Sequence, residues 1–215
     1  SVVLYIDNTN LRPLDRNRVI NRLRDFVAET LAPPVEMMVV ASRPSLAVRQ
    51  PFTHDVAAVT AALEGVAGHI GGRSARDEER TQILDWMGQV GGNPLGDARR
   101  SLSSPANPAL KMQVQAAILS YVEQESDTLK GSLASLYEVV QLAETRGGRG
   151  VVIHVSNGLP MIPGVDLAHQ FETVFRDISV YSGMAQRNFA DEYRDLVQAA
   201  AARGVSIYAV DASGL

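Results

Sequence analysis

The sequence predicts an α/β fold: a three-layer, doubly wound, mostly parallel sheet interrupted by a helical insertion. Three observations carry this prediction. Apolar runs of strand length, at 2–6, 37–42, 151–155 and 205–210, alternate with longer stretches whose apolar residues repeat at helical spacing. Two of those runs pass directly into polar loops, Asp7-Asn8-Thr9-Asn10 and Ser156-Asn157-Gly158, at the edge where open parallel sheets bind ligands. Between about residues 71 and 130 the alternation gives way to helix-forming sequence and a Ser/Pro/Asn-rich stretch.

The first strand, Val2-Val3-Leu4-Tyr5-Ile6, is an unbroken apolar run of the kind buried on both faces. Val19, Ile20, Leu23, Phe26, Val27 and Leu31 then recur with helical period, with Asp15 as the expected cap and Pro33-Pro34 as the stop. Met37 to Ser42 reads as a buried strand and Leu46 to Phe52 as an alternating edge strand, joined by a turn at Arg43-Pro44-Ser45. Thr53 or Asp55 can cap a helix through Val56, Val59, Leu63 and Val66 that ends near Gly68.

The insertion begins at a Gly71-Gly72-Arg73-Ser74 hinge, which follows a helix and is therefore a poor phosphate loop. A charged helix over 76–90 comes next, its Arg76-Asp77-Glu78-Glu79-Arg80 run reading as a solvated face and Trp86-Met87 as core. Residues 91–108 are low in structure-forming content, and 109–144 stay helical, as one helix or as two broken near Gly131. After the strand at 151–155 the pattern predicts a long polar loop, a helix over about 188–203 and a last buried strand at 205–210. The whole of 1–215 reads as a single domain carrying the insertion at about 71–130.

Composition narrows the function. With 46% hydrophobic and 20% charged residues in 215, the chain can bury one sizeable core. A formal net charge of -4 argues against a nucleic-acid partner, which would call for a basic excess. No apolar run approaches the ~20 residues of a membrane span. The absence of cysteine removes disulfides, thiolate metal sites and cysteine nucleophiles together. His54, His69, His154 and His169 show no ligand spacing, and His154, inside a strand, reads as a packed core histidine.

Four ordered segments carry a family likeness: 3–11, 48–53, 151–163 and 204–215. Together they resemble the von Willebrand factor type A fold, and most closely its bacterial branch, the acidobacterial VWFA-related domain. The resemblance implies a Rossmann-like sheet with a metal-ion-dependent adhesion site at its top, where an Asp-x-Ser-x-Ser loop, a Thr and a further Asp hold magnesium for a partner's carboxylate. Asp7 matches the first Asp and Thr9 the first hydroxyl, whereas Leu11 falls at the second hydroxyl, Ala134 at the Thr and Asn157 at the second Asp. Magnesium normally needs one or two carboxylates and near-octahedral oxygens. A site reduced to Asp7 and Thr9 is degenerate, and no cofactor is expected beyond a weak magnesium ion there.

The function expected from the resemblance is a non-catalytic protein-binding or assembly module. Its binding residues are Asp7, Thr9, Asn10, Ser135, Ser156 and Asn157, with the helical insertion as a second surface for a protein partner. The resemblance also implies export, to the periplasm, cell envelope or medium, and one more strand and helix than the residues to Leu215 supply. The alternative is a metal-dependent hydrolase centred on Asp7. Residues 6–11 are similar to the first motif of NYN/PIN-type nucleases, whose chemistry calls for several acidic strand ends where only Asp211 joins Asp7. A haloacid-dehalogenase-like phosphatase would use Asp7 as nucleophile and Ser156 as hydroxyl, but Thr9 stands at its acid/base position, and Lys111 and Lys130 lie in the helical region.

Overall fold

The computed structural model describes residues 1–42, 45–67, 73–91, 108–144, 149–184 and 187–214. Among them are five strands and seven α-helices: β1 (Val2–Ile6), α1 (Pro13–Thr30), β2 (Met37–Ala41), β3 (Ala47–Thr53), α2 (Val56–Ala67), α3 (Arg73–Gly91), α4 (Pro108–Ala143), β4 (Gly150–Ser156), α5 (Val165–Phe175), α6 (Ser179–Met184), α7 (Ala190–Ala202) and β5 (Val205–Asp211). The strands form one sheet in the order β3-β2-β1-β4-β5. β1 lies parallel to both β2 and β4, β5 parallel to β4, and only β3 is antiparallel. The fold is α/β with a mostly parallel sheet, compatible with a Rossmann-like architecture. From β1 the chain works outward to β3, then returns to the other side of β1, so the strand order reverses between β1 and β4. That reversal opens a crevice at the C-terminal strand ends, which here are the loops after Ile6 and Ser156.

The residues group into two compact units, Ser1–Ser74 with Leu129–Leu159 and Ala190–Leu215, and Ala75–Thr128 with Pro160–Phe189. In the first, Leu4 and Ile6 of β1 and Met37, Val39 and Ala41 of β2 share a core with Val19, Ile20, Leu23 and Val27 of α1 and Val59, Leu63 and Val66 of α2. Each fully buried aliphatic side chain contributes roughly 1.5–3 kcal/mol, which explains why β1 and β2 carry almost nothing polar. Strand alternation turns Val3 and Tyr5 to the opposite face, and Tyr5 there approaches Ser135 of α4.

In the second unit, Ile83 and Met87 of α3, Val114, Ile118, Tyr121 and Val122 of α4, Leu167, Ala168 and Phe171 of α5, and Val180 and Met184 of α6 form a core of their own. Trp86 packs against it, as its position on the helix predicts. Gly164 opens α5 with φ of 70°, and a Cβ there would lie 2.4 Å from Val122 Cγ2. Only glycine meets both the left-handed turn and the close approach.

Several elements differ from expectation. Asp15 does not cap α1: Arg12 holds the cap position with no side-chain bond, Pro13 occupies the first turn, and Asp15 lies inside that turn. Proline's fixed φ starts the helix earlier than the apolar pattern suggests. Asp55 does cap α2, its Oδ1 accepting from the Ala57 and Ala58 amides at 2.8 and 3.2 Å. α4 runs unbroken for 36 residues, with Gly131 exposed inside it. The penalty of roughly 0.5–1 kcal/mol for a helical glycine is small beside the burial of Leu129, Leu133 and Leu136 around it.

The expected polar loop after β4 contains α5 and α6, built on Leu167, Ala168, Phe171, Val180 and Met184. Their short apolar stripes are separated by Arg176, Asp177 and Ser179 with a solvent-exposed Ile178 between them, which hides the helical period. β5 is not a buried strand. Among the described residues it is the sheet edge, with Val205 buried and Tyr208 60% exposed. The turn at Arg43-Pro44, the helix end at Gly68, the Gly71-Gly72 hinge and most of the stretch at 91–108 lie outside the described residues.

Candidate functional site

The reversal in strand order places the end of β1 beside the ends of β2 and β4. Register does the rest. Ile6 pairs with Ala41 and with Val155, so Asp7, Ser42 and Ser156 emerge together, and Tyr5 lies directly opposite His154. α4 supplies Ser132 and Ser135 from more than a hundred residues away in sequence.

Asp7 is wholly buried, and three donors meet its carboxylate. Oδ1 accepts from Ser42 Oγ at 2.9 Å and from the Thr9 amide at 3.2 Å, while Oδ2 accepts from Asn10 Nδ2 at 2.7 Å. His154 Nε2 stands 3.7 Å from Oδ2, beyond hydrogen-bond range, and its ring stacks on Tyr5 with centroids 5.3 Å apart. Burial pushes the Asp7 carboxyl upward, but His154, Asn10 and Ser42 outweigh it and hold the group below the usual carboxylate range. Burial, reinforced by the Asp7 charge, raises the Tyr5 phenol.

Asn10 decides what this site can hold. Its amide nitrogen lies 2.7 Å from Asp7 Oδ2 and 2.7 Å from Ser132 Oγ, so both amide protons are used to bridge the β1 loop to α4. A cation between those two oxygens would have to displace the amide, whose N–H pair now occupies that space. Among the described residues no group of three His, Cys, Asp or Glu side chains could hold a metal ion. Of the two oxygens that Asn10 bridges, one belongs to a carboxylate and one to a hydroxyl.

The remaining predicted residues take other roles. Thr9 is half-buried, its Oγ1 3.4 Å from Ser42 Oγ. Asn157 is a staple: Oδ1 accepts from the Arg12 amide, Nδ2 donates to Asp15 Oδ2, and its own amide donates to Asn10 O. Ser156 is buried, its Oγ accepting from the Gly158 amide at 3.2 Å. Ser135 is half-buried near the Tyr5 hydroxyl. Leu11 belongs to the core, and Ala134 is exposed. Asp211 accepts from the Ser213 amide and hydroxyl beside its own strand end. The structure therefore brings Asp7, Thr9 and Asn10 into one cluster and joins Asn157 to it through the Asn10 carbonyl, while the Asn157 side chain binds Arg12 and Asp15 instead of Asp7.

Three members of the cluster escaped the sequence reading: Ser42, Ser132 and His154. Ser42 was legible, because a parallel partner of β1 must end beside Asp7. Ser132 lies on the same helical stripe as Leu129 and Leu136, two residues before the position that the resemblance assigns to the ligand. His154 follows from the alternation of β4. Chemically the cluster contains serine, histidine and aspartate, but Ser42 donates to Asp7 rather than to the imidazole, and all three are closed to solvent. Within this cluster none of the three is presented to solvent as a nucleophile.

No protein-family model matches the chain, and no curated protein matches it in sequence.

Proposed function

We propose that the chain is a doubly wound, type A-like domain with a helical insertion, acting as a non-catalytic protein-binding or assembly module whose adhesion-type site has become metal-free. One observation carries this reading: Asn10 bridges Asp7 and Ser132, filling with an amide the place where a cation would draw those oxygens together. The same bridge argues against the alternative. A hydrolase needs an accessible carboxylate and further acidic groups, whereas Asp7 is sealed and Asp15 and Asp211 are engaged elsewhere.

The accessible part of this edge is Thr9, Asn157 and Gly158, with Arg12 beside them. A partner would dock there by shape and neutral hydrogen bonds, with the helices of the second unit as the other candidate surface. The resemblance that suggests the fold also suggests an exported protein. Calorimetric titration of the wild-type chain with magnesium, manganese and calcium tests the reading. Silence with all three ions is expected. Saturable binding that disappears in Asp7→Ala would overturn the metal-free site, and hydrolysis of p-nitrophenyl phosphate or a fluorogenic RNA, lost in the same variant, would replace the module with an enzyme.

A further inference from the structure

The charges of α1 run against the helix that carries them. Residues 12–24 hold five of the chain's 20 Lys and Arg, at 12, 16, 18, 22 and 24, and one of its 24 Asp and Glu, Asp15. The formal charge of the whole chain is -4, so this positive stretch is local. Helix dipoles favour anions at the N-terminus and cations at the C-terminus. Asp15 apart, α1 has the reverse: Arg12 and Arg16 stand at its start, Asp25 and Glu29 follow in its second half, and no basic residue lies in its last turn. Arg18 and Arg22 are one turn apart, a like-charge pair that weakens a helix. A local rule broken with no gain inside the fold points to a surface kept for another use.

Arg16 and Arg24 are turned elsewhere: Arg16 is buried, and Arg24 pairs with Glu64 of α2 at 3.4 Å. Arg12, Arg18 and Arg22 are exposed, and so is Leu14, at 79%. Leu14, Arg18 and Arg22 recur at four-residue steps and share one face of α1. That face begins at the sheet edge described above, where the Arg12 amide donates to Asn157 Oδ1.

We propose that this face of α1 docks an acidic segment of a protein partner, which rests on the reading of the chain as a binding module and adds the charge of what is bound. Guanidinium groups hold carboxylates through paired N–H donors. Arg18 lies 3.8 Å from Asp15, but its side chain is half exposed and a guanidinium has five donors, so a second carboxylate can join the first. Leu14 offers the segment one apolar contact. From Arg12 to Arg22 the helix rises about 15 Å, the span of roughly four or five extended residues. Beyond that span the same face turns acidic at the exposed Asp25 and Glu29. A short acidic segment fits between these limits, whereas a nucleic-acid strand or an anionic bilayer would continue over the carboxylates. A bilayer would also bury an apolar stripe, where α1 shows Arg18 and Arg22 beside Leu14.

Fluorescence anisotropy of a labelled Gly-Glu-Asp-Leu-Glu-Asp-Gly peptide, titrated with the full chain to submillimolar concentration in about 0.15 M salt, tests the proposal. Saturable binding is expected. It should weaken roughly tenfold in the double variant Arg18→Gln with Arg22→Gln, whose circular dichroism spectrum should match the wild type because both side chains are exposed. Arg49→Gln with Arg194→Gln changes the net charge equally at exposed positions on β3 and α7 and should leave the affinity unchanged. A wild-type chain that does not bind the peptide overturns the proposal, as do two double variants that lose affinity equally. Tighter binding of a short oligothymidylate, or of phosphatidylcholine vesicles containing phosphatidylserine, lost in Arg18→Gln with Arg22→Gln, overturns it in favour of a phosphate ligand. Asp7, Asn10 and Asn157 are intact in every variant, so failure here removes the acidic partner, while the metal-free module stands or falls by the ion titration.

Discussion

Each unit of this protein buries charge, and the two do so in opposite ways. In the sheet-bearing unit the Asp7 carboxylate is surrounded by neutral donors, Thr9 and Asn10 from its own loop and Ser42 from the end of β2, with Ser132 of α4 accepting from Asn10 behind them. In the helical unit Arg76 of α3 and Glu125 of α4 form an ion pair at 3.2 Å with both side chains nearly enclosed. A charge held by hydrogen bonds is supported from several sides, and the loss of one neutral donor leaves the rest in place. In a buried ion pair each partner compensates the other's desolvation, so removing one leaves the other charge buried without it. The helical unit should therefore be the more brittle of the two, although its chemistry looks the stronger.

Substitutions in the ion pair should give the largest effect. Glu125→Ala is expected to cost about 3–5 kcal/mol, and the double variant Arg76→Met with Glu125→Leu is expected to regain most of it. Urea unfolding of the two variants checks this. A loss in Glu125→Ala no larger than that of a surface substitution would remove the contrast between the units.

Asn10→Asp comes next. A second carboxylate against Asp7 Oδ2 would have to share a proton with it, and this like-charge contact should cost roughly 1–3 kcal/mol. Magnesium should restore part of that loss, raising the melting temperature of this variant and leaving the wild type unmoved. If magnesium does nothing for Asn10→Asp, the amide does not mark a cation position.

Asp7→Asn should cost about 1.5–3 kcal/mol at neutral pH, the worth of hydrogen bonds to a charged acceptor. Its signature is in the pH dependence. The folded protein holds the Asp7 proton more weakly than the unfolded chain does. The contribution of Asp7 is therefore complete above the ordinary carboxylate value of about 4 and vanishes as pH falls through the lower folded value. The stability gap between wild type and Asp7→Asn should stay constant from about pH 7 down to about pH 4 and shrink only on further acidification, as followed by urea midpoints. A gap that stays constant below that pH as well would mean that Asp7 acts by shape alone.

The sequence makes the sheet readable and leaves the cluster largely hidden, for a physical reason. β1, β2 and β4 announce themselves because buried parallel strands exclude polar residues, and Asp7 stands out as the first polar side chain after such a run. Helices α5 and α6 were concealed by their short stripes, and β5 passed for a buried strand because Ile207, Tyr208 and Val210 are apolar whether or not anything covers them. The donors to Asp7 are serines and an asparagine, residue types that appear in every loop and carry no spacing of their own. What selects Ser42 is strand register, and what selects Ser132 is the rotation of α4 about its axis. Neither is a local property of sequence, which is why the resemblance pointed to Ala134, two residues from the side chain that reaches the site.

The smallest effect is also the sharpest test of the bridge. Ser132→Ala removes one acceptor from Asn10 and leaves Asp7 with its own three donors, so the loss should be about 1 kcal/mol, the net value of a neutral hydrogen bond. Asn10→Ala should cost more, because it also takes a donor from the carboxylate. Combined, the two should cost less than their sum, since the Ser132 contact no longer exists once the amide is gone. A double-mutant cycle by urea unfolding measures that coupling directly. A positive coupling near the value of one hydrogen bond would mean that α4 is tied to the β1 loop through Asn10. Strict additivity would mean that Ser132 and Asn10 are neighbours without an energetic link, and the amide could not then be standing in for a cation that draws the two elements together.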